Sequence, residues 1–445
     1  MSMMKRESKE KNLLQQRIAM LLCVLLFLGT LTGCSMDKMV SGFSDLLNLS
    51  GPSEGEDVTG EVAEETADIP VIVHQTEDFK AEQENGEASP KEPVEEVPVE
   101  EPEPEVIYDD VNKRYTIEPS ADDGIMLAFG GDICFHDDFS NMMAYRSREN
   151  GIFDCITADL MSEMQGADIF MVNNEFPYSS RGTPTPLKTY TFRSKPENVN
   201  ILHDMGVDIV SLANNHAYDY GEEALLDTVD ILNEAKVPFV GAGKNLEEAM
   251  KPAYFITEEQ TIAYVSATQI ERLPNPDTKE ATVSSAGVLR TLDPTAFLTV
   301  IEEAEKNSDF VVVYVHWGSE NTDVVEAGQR ELAMKYIEAG ADLIIGDHTH
   351  CLQGVEYIEG VPVIYSMGNF WFNSKTLDTC LVKVKLGNDS KIQSFQVIPC
   401  IQENCQTRMA DDVNSLRILN YMQSISFDVS FDTEGYVQSM QPKEP

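Results

Sequence analysis

Six short apolar runs in this chain each end in a residue able to hold a metal ion or orient a substrate. The clearest covers residues 341–345 and leads straight into Gly346-Asp347-His348-Thr349-His350. Five others share the layout: 125–132 ends at Asp132, 168–175 at Glu175, 209–216 at His216, 310–316 at His316 and 363–369 at Asn369. Short apolar runs of this length read as buried strands. Ligands of an α/β sheet bind beyond the carboxyl ends of its strands. Six strand ends rich in Asp, Glu, Asn and His therefore predict one composite metal site.

Between the runs the apolar spacing turns helical, near 151–165, 196–205, 222–235, 245–250, 294–307 and 327–339. Strands separated by helical stretches imply an α/β fold with helices on both faces of the sheet. After Trp371 the pattern shifts to strands, at 379–386 and 393–398, which read as sheet edge strands rather than an independent domain. No repeat of 20–50 residues is visible, which argues against a solenoid.

The charge is strongly acidic and unevenly spread. Residues 51–118 hold 22 Asp and Glu against 4 Lys and Arg, which is −18 of a net −44. Such a chain is a poor partner for nucleic acid, whose phosphates call for clustered Lys and Arg. The acidic stretch is also rich in Pro and poor in aromatics, so it is expected to be a disordered tether. Ahead of it, Lys5, Arg6, Lys9, Lys11 and Arg17 precede an apolar run over 18–28 and then Leu31-Thr32-Gly33-Cys34. A basic region, a short apolar core and small residues mark an export signal. The run is shorter than the ~20 apolar residues of a membrane span.

The expected organisation is a signal over 1–33, a tether over 34–118, a folded domain over 119–375 and a β-rich extension of that domain over 376–445. An exported chain permits disulfides, but spacing does not fix their pairing. Cys400 and Cys405 are near enough for a local bridge, and free buried thiols are the alternative. No C-x-x-C pair occurs, so a zinc ribbon or a thioredoxin-like site is unsupported.

A single strand-terminal histidine means little. Here five of the seven histidines, His136, His216, His316, His348 and His350, fall at or beside the strand ends. Mixed carboxylate, amide and imidazole groups suit zinc, manganese or iron rather than calcium. Two such ions in one site can activate water and hold both the attacking and the leaving oxygen.

The blocks Gly-Asp, Asn-Asn-Glu, Ser-Leu-Ala-Asn-Asn-His-Ala-x-Asp-x-Gly, His-Trp-Gly, Gly-x-His-x-His and Tyr-Ser-Met-Gly-Asn-Phe occur in that order over roughly 124–375. Together they resemble the CapA family (also called PgsA) of poly-γ-glutamate capsule biosynthesis proteins. The resemblance implies a calcineurin-like metallophosphoesterase fold, with central β-sheets flanked by helices. It also implies that Asp132 and His350 hold one divalent ion and that Asn215, His316 and His348 hold a second. Glu175 takes the bridging place that the wider superfamily gives to Asp.

By the same similarity His216 is the acid that protonates the leaving oxygen, and Arg193 holds a phosphate or carboxylate. Leu31-Thr32-Gly33-Cys34 resembles the bacterial lipobox, which implies lipidation at Cys34 and anchoring outside the cytoplasm on the bacterial cell membrane. One departure stands out. The superfamily pattern Asp-x-His at the first strand is Asp132-Ile133-Cys134 here, where the thiol either serves as a soft ligand or packs.

Three functions are open at this point. The first is a surface-anchored factor for synthesis or export of poly-γ-glutamate or another anionic envelope polymer, working with membrane subunits of a capsule synthase. The second is a general cell-envelope metallophosphoesterase. The third is an inactive pocket that only binds polymer. Family analogy favours the first, since fold alone does not fix function.

Overall fold

The computed structural model describes residues 108–270 and 278–440. The expected signal, Cys34 and most of the expected tether lie outside the described residues. Among the described residues no helix is long and apolar enough to cross a membrane.

Four parallel strands start the first sheet: β1 (Ile125–Ile133), β2 (Ile169–Asn174), β3 (Ile209–Ser211) and β4 (Phe239–Val240). The second sheet is centred on four more parallel strands, β5 (Thr261–Thr268), β6 (Phe310–His316), β7 (Leu343–Asp347) and β8 (Val361–Ile364). The chain then returns to the first sheet. On the side of β1 away from β2, β9 (Asn369–Trp371) pairs with its end, and β10 (Leu377–Leu386), β11 (Ile392–Glu403) and β12 (Gln406–Met409) extend the sheet as an antiparallel meander.

Strand period decides how the layers stack, because successive side chains point to opposite faces. Ile125, Leu127 and Phe129 of β1, with Ile169 and Met171 of β2, meet Ile262 and Tyr264 of β5 and Phe310, Val312 and Tyr314 of β6 in one core. The alternate residues face helices. Ala128, Phe170, Val172 and Val210 pack with Leu160, Leu202, Leu225 and Val229 on one side. Ala263, Val265, Val311 and Val313 pack with Phe297, Ile301, Leu332 and Tyr336 on the other. The result is helix, sheet, sheet, helix, with each deeply buried large side chain contributing about 1.5–3 kcal/mol. This is the helix-flanked, multi-sheet architecture that the family resemblance implies.

The inter-sheet face carries more than the core. Continuing the same alternation towards the strand ends places Asn173, Ser211, Ser266, His316 and Asp347 on the inner face. Ser211 Oγ and Ser266 Oγ hydrogen-bond across the two sheets at 2.7 Å. Asp132 has the wrong parity for this face and reaches it through a β-bulge. The register with β2 runs from Phe129 opposite Met171 to Asp132 opposite Asn173, one residue too many on β1. The bulge falls on Gly130-Gly131, and Tyr314 of the other sheet donates its hydroxyl to the Gly130 carbonyl at 3.0 Å. At Gly131 a Cβ would lie 1.9 Å from the Gly368 carbonyl oxygen, so only glycine lets β9 close on β1.

Two sequence expectations are corrected. The second sheet includes strands Tyr108–Asp109 and Arg114–Thr116, inside the stretch read as tether, because Tyr115 buries its ring against Phe255 in the inter-sheet core. β10 is not an edge strand. It lies between β1 and β11, hydrogen-bonded to both, and Cys380, Val382, Val384 and Leu386 face the inter-sheet core. The C-terminal extension also holds a 14-residue helix, Asp412–Ile425. Cys134, Cys155, Cys351, Cys380, Cys400 and Cys405 are all free thiols, so no Cys400–Cys405 bridge is formed.

The Gly131 contact makes a prediction. Gly131→Ala should destabilise the protein by about 1–3 kcal/mol, the usual range for overpacking a tight contact. Urea unfolding measures it, and a midpoint equal to the parent's would refute the close approach of β9.

Candidate metal centre

All six strand ends converge at the rim where the two sheets share their inner face. Three groups of side chains there bring their ligand atoms within 4.8 Å of one another: Glu175, His316 and His348; Asp132, Glu175 and His350; and Asp132, His316 and Asp347. Glu175 belongs to the first two groups and stands between them. Asn215 joins the first through its Oδ1, 2.8 Å from His316 Nε2, and His348 Nδ1 is 3.0 Å from the same nitrogen. In the second group His350 Nδ1 lies 3.2 Å from Asp132 Oδ2 and 2.8 Å from Asn369 Oδ1.

The loop after β7 delivers its two histidines in unusual backbone geometry. His348 has φ +92° and His350 φ +57°, both in the left-handed region that side chains with a Cβ avoid. Such outliers cost roughly 1–3 kcal/mol each and persist where the surroundings hold them. Here the Asn321 N–H donates to the Thr349 carbonyl at 2.8 Å, and Thr349 Oγ1 donates to the Cys351 carbonyl at 2.9 Å.

The cluster fits a cation. Glu175 Oε1 and Asp347 Oδ2 are buried oxygens without a hydrogen-bond partner. Burial, together with Asp132 and Asp347 nearby, pushes the Glu175 carboxyl well above its ordinary range. Burial and Asp132 do the same to Asp347. Burial drives His316 down to about 3 and His348 well below the usual imidazole value, so both rings are neutral with lone pairs to offer. Asp132 is the exception. Burial would raise it, but the hydrogen bond and charge of His350 hold it low, and Asp132 in turn raises His350 against the effect of burial. Crowded carboxylates beside neutral imidazoles are a liability without a cation and a ligand set with one.

A chain of amides fixes the geometry. The His216 N–H donates to Asn214 Oδ1 at 3.0 Å, which orients Asn214 Nδ2 towards Asn173 Oδ1 at 2.9 Å. Asn173 must then present Nδ2, which donates to Asp132 Oδ1 at 2.9 Å. Beside this chain, His216 Nδ1 pairs with Asp219 Oδ2 at 2.7 Å, and its Nε2 lies 3.8 Å from Glu175 Oε1. Phe192 stacks on the imidazole at 4.1 Å between centroids. Its N–H donates to Asp219 Oδ2 at 2.6 Å, and Lys188 Nζ bonds both Asp219 Oδ1 and the Asn215 carbonyl. Burial lowers the His216 pKa, with Asp219 opposing.

Asp132, Glu175, Asn215, His216, His316, His348 and His350 thus come together. Three sequence-selected residues do not join them. Arg193 lies over the Tyr220 ring at 4.1 Å and donates from Nη1 to the Arg181 carbonyl at 3.1 Å. His136 accepts the Arg193 N–H on Nδ1 at 3.0 Å, next to Phe139 and Phe192. Cys134 packs in the helix-facing core, with its thiol pushed well up by burial.

Asp219 does not cap the following helix, Glu222–Glu234, which starts behind Gly221; its carboxylate is taken up by His216, Lys188 and Phe192. Asn369, the end of the sixth apolar run, joins the site through His350, whereas Asn173 and Asp347 were missed as site residues although strand parity carries a signal for both. Lys188 sits in a Gly-, Pro- and Thr-rich loop whose spacing gives no sign of it.

Comparison with known proteins completes the picture. The chain is 35% identical over 216 residues to the PGA biosynthesis protein CapA of Bacillus subtilis, covering 48% of this chain and 55% of that protein. It is 31% identical over 239 residues to the capsule biosynthesis protein CapA of Bacillus anthracis, covering 52% and 57%. A probable polyglutamine synthesis accessory protein of Mycobacterium tuberculosis is 28% identical over 213 residues, covering 46% and 56%. The chain therefore spans a little over half the length of the curated relatives it matches. The profile of the bacterial capsule synthesis proteins PGA_cap matches residues 126–374, from the first strand to just past the last site residue, and the chain belongs to that family.

Proposed function

We propose that this protein is a lipid-anchored, extracytoplasmic factor in poly-γ-glutamate capsule synthesis or export, carrying a metal-dependent hydrolase-type centre. The observation that carries the catalytic part is the buried meeting of Asp132, Glu175, Asn215, His316, His348 and His350 beside the His216–Asp219 pair. The capsule part rests on the two CapA relatives. Anchoring through Cys34 rests on the signal-like N-terminus, and the polymer and synthase membrane subunits are partners by family likeness alone.

Asp132 and His350 would hold one divalent ion, Asn215, His316 and His348 a second, with Glu175 between them. Manganese, zinc and iron all suit these donors. When bound, the ions would supply Lewis acidity to a phosphoryl or carbonyl oxygen. As the imidazolium, a form that the charge of Asp219 favours against burial, His216 would give a proton to the leaving oxygen from Nε2 and keep the one on Nδ1. Asp219 holds the other nitrogen, so the ring keeps one orientation. Phe192 covers one face of that ring and excludes water from it. Arg193, with one donor spent on the Arg181 carbonyl, would turn its remaining donors to an anionic group.

Elemental analysis of the purified full-length protein in detergent should find about two ions per chain. Asp132→Ala and His348→Ala should each lose metal while the protein stays folded by circular dichroism. Full occupancy in both variants would sink the site assignment. His216→Ala should keep its metal yet lose ~10²–10⁴-fold in turnover of a phosphomonoester or phosphodiester probe, the usual weight of an acid catalyst.

Chelation offers a check independent of turnover. A ligand that binds only the folded state stabilises it by mass action. Treatment with EDTA should thus lower the Tm, and manganese or zinc should restore it. A Tm indifferent to both would leave only a polymer-binding role.

A further inference from the structure

Asp347 occupies the variable place in Gly-x-His-x-His, and neither the family pattern nor the proposed ligand set gives it a task. It is fully buried at the end of β7, on the inner face with Leu343 and Ile345. Its Oδ1 lies 2.8 Å from His316 Nδ1. The other nitrogen of that ring, Nε2, faces Asn215 Oδ1 at 2.8 Å and His348 Nδ1 at 3.0 Å. A neutral imidazole carries one proton, and the partner of one nitrogen decides which nitrogen holds it.

We infer that Asp347 is a positioning residue of the metal centre: it keeps the His316 proton on Nδ1, so that the Nε2 lone pair stays open to an ion held with His348 and Glu175. The inference rests on the metal-centre reading above. The Asp347 carboxylate oxygen, 2.8 Å from Nδ1 on the buried inner face, is the acceptor that nitrogen meets, so the ring proton is held on Nδ1. Without that carboxylate the ring has a ready alternative, because Nε2–H would find Asn215 Oδ1 already at hydrogen-bond distance. That tautomer would satisfy the metal-free protein and close the ligand position.

Direct ligation by Asp347 is the competing role, since Asp132, His316 and Asp347 are close enough to hold an ion among themselves. Asn173 argues against it. The amide chain from the His216 N–H forces Asn173 Nδ2 into that space, where its two hydrogens go to Asp132 Oδ1 at 2.9 Å and Glu175 Oε2 at 3.4 Å, so that it abuts His316 Nδ1 without donating to it. An N–H donor aimed at the spot repels a cation.

The test compares full-length wild type, Asp347→Asn and Asp347→Leu by manganese and zinc titration against a competing chelator, with ion count and metal-free Tm. Asn keeps an acceptor for Nδ1–H but loses the charge, whereas Leu keeps the size and loses both. The expected order of affinity is wild type, then Asn, then Leu. The Leu variant should be weaker by roughly 10–100-fold, the usual effect of losing an orienting partner. Ion count at saturation should be unchanged, and the metal-free Tm of the Leu variant should not fall. A buried carboxylate with an unpartnered oxygen adds little to stability.

Equal affinities in all three proteins would overturn the inference. So would a loss of one ion per chain in both variants, which would make Asp347 a ligand. An affinity loss matched by a collapse of the metal-free Tm in Leu, without graded rescue by Asn, would make its role merely structural. A wild type that takes up no ion would remove the metal-centre reading itself, a result distinct from the others.

Discussion

Two sheets packed face to face create a dry interior that tolerates polar groups only at its rim. Everything functional in this protein follows from where that rim lies. Inward-facing positions are apolar along the strands, with Leu127, Met171, Val312 and Ile345 closing the core. At the carboxyl ends the same positions become Asp132, Asn173, His316 and Asp347, all still buried. Groups placed there are cut off from water, so each must find a partner or a cation. The inter-sheet contact therefore holds the fold together and gives the carboxylates and imidazoles their unusual protonation behaviour.

The single extra residue at Gly130-Gly131 shows how narrow this arrangement is. With regular pleating Asp132 would turn towards the helices and join Ala128, and the cluster would lose its one carboxylate held low by a histidine. The bulge requires two glycines for different reasons. Gly131 lies against the Gly368 carbonyl, while Gly130 fits among Val172, Phe170 and Phe370 and gives its own carbonyl to Tyr314. A short stretch of backbone thus links β9, the second sheet and a candidate ligand.

Much of this was legible in the sequence because strand ends leave local marks. An apolar run that stops at Asp132, Glu175, His216 or His316 states both the element and its polar terminus. The relation of β10 to β1 was not legible, since alternation in 377–386 shows a buried face but not which neighbour covers the backbone edges. Tyr115 was hidden in an acidic stretch whose composition outweighed one short strand. Lys188 and Asp219 meet across 31 residues through the fold of a loop, and no spacing rule encodes that meeting. Asp347 was overlooked for a simpler reason: it stands beside two histidines that explain the motif without it.

The amide chain running from the His216 backbone through Asn214 and Asn173 to Asp132 acts as a molecular ruler. Its links are rigid planar groups, and each has its donor direction set by the link before it. His216 and the carboxylate–imidazole cluster are therefore held at one spacing rather than free to drift apart. On the proposed function, a substrate would have to match that fixed gauge between the two. Selectivity here would be a matter of length as much as of charge.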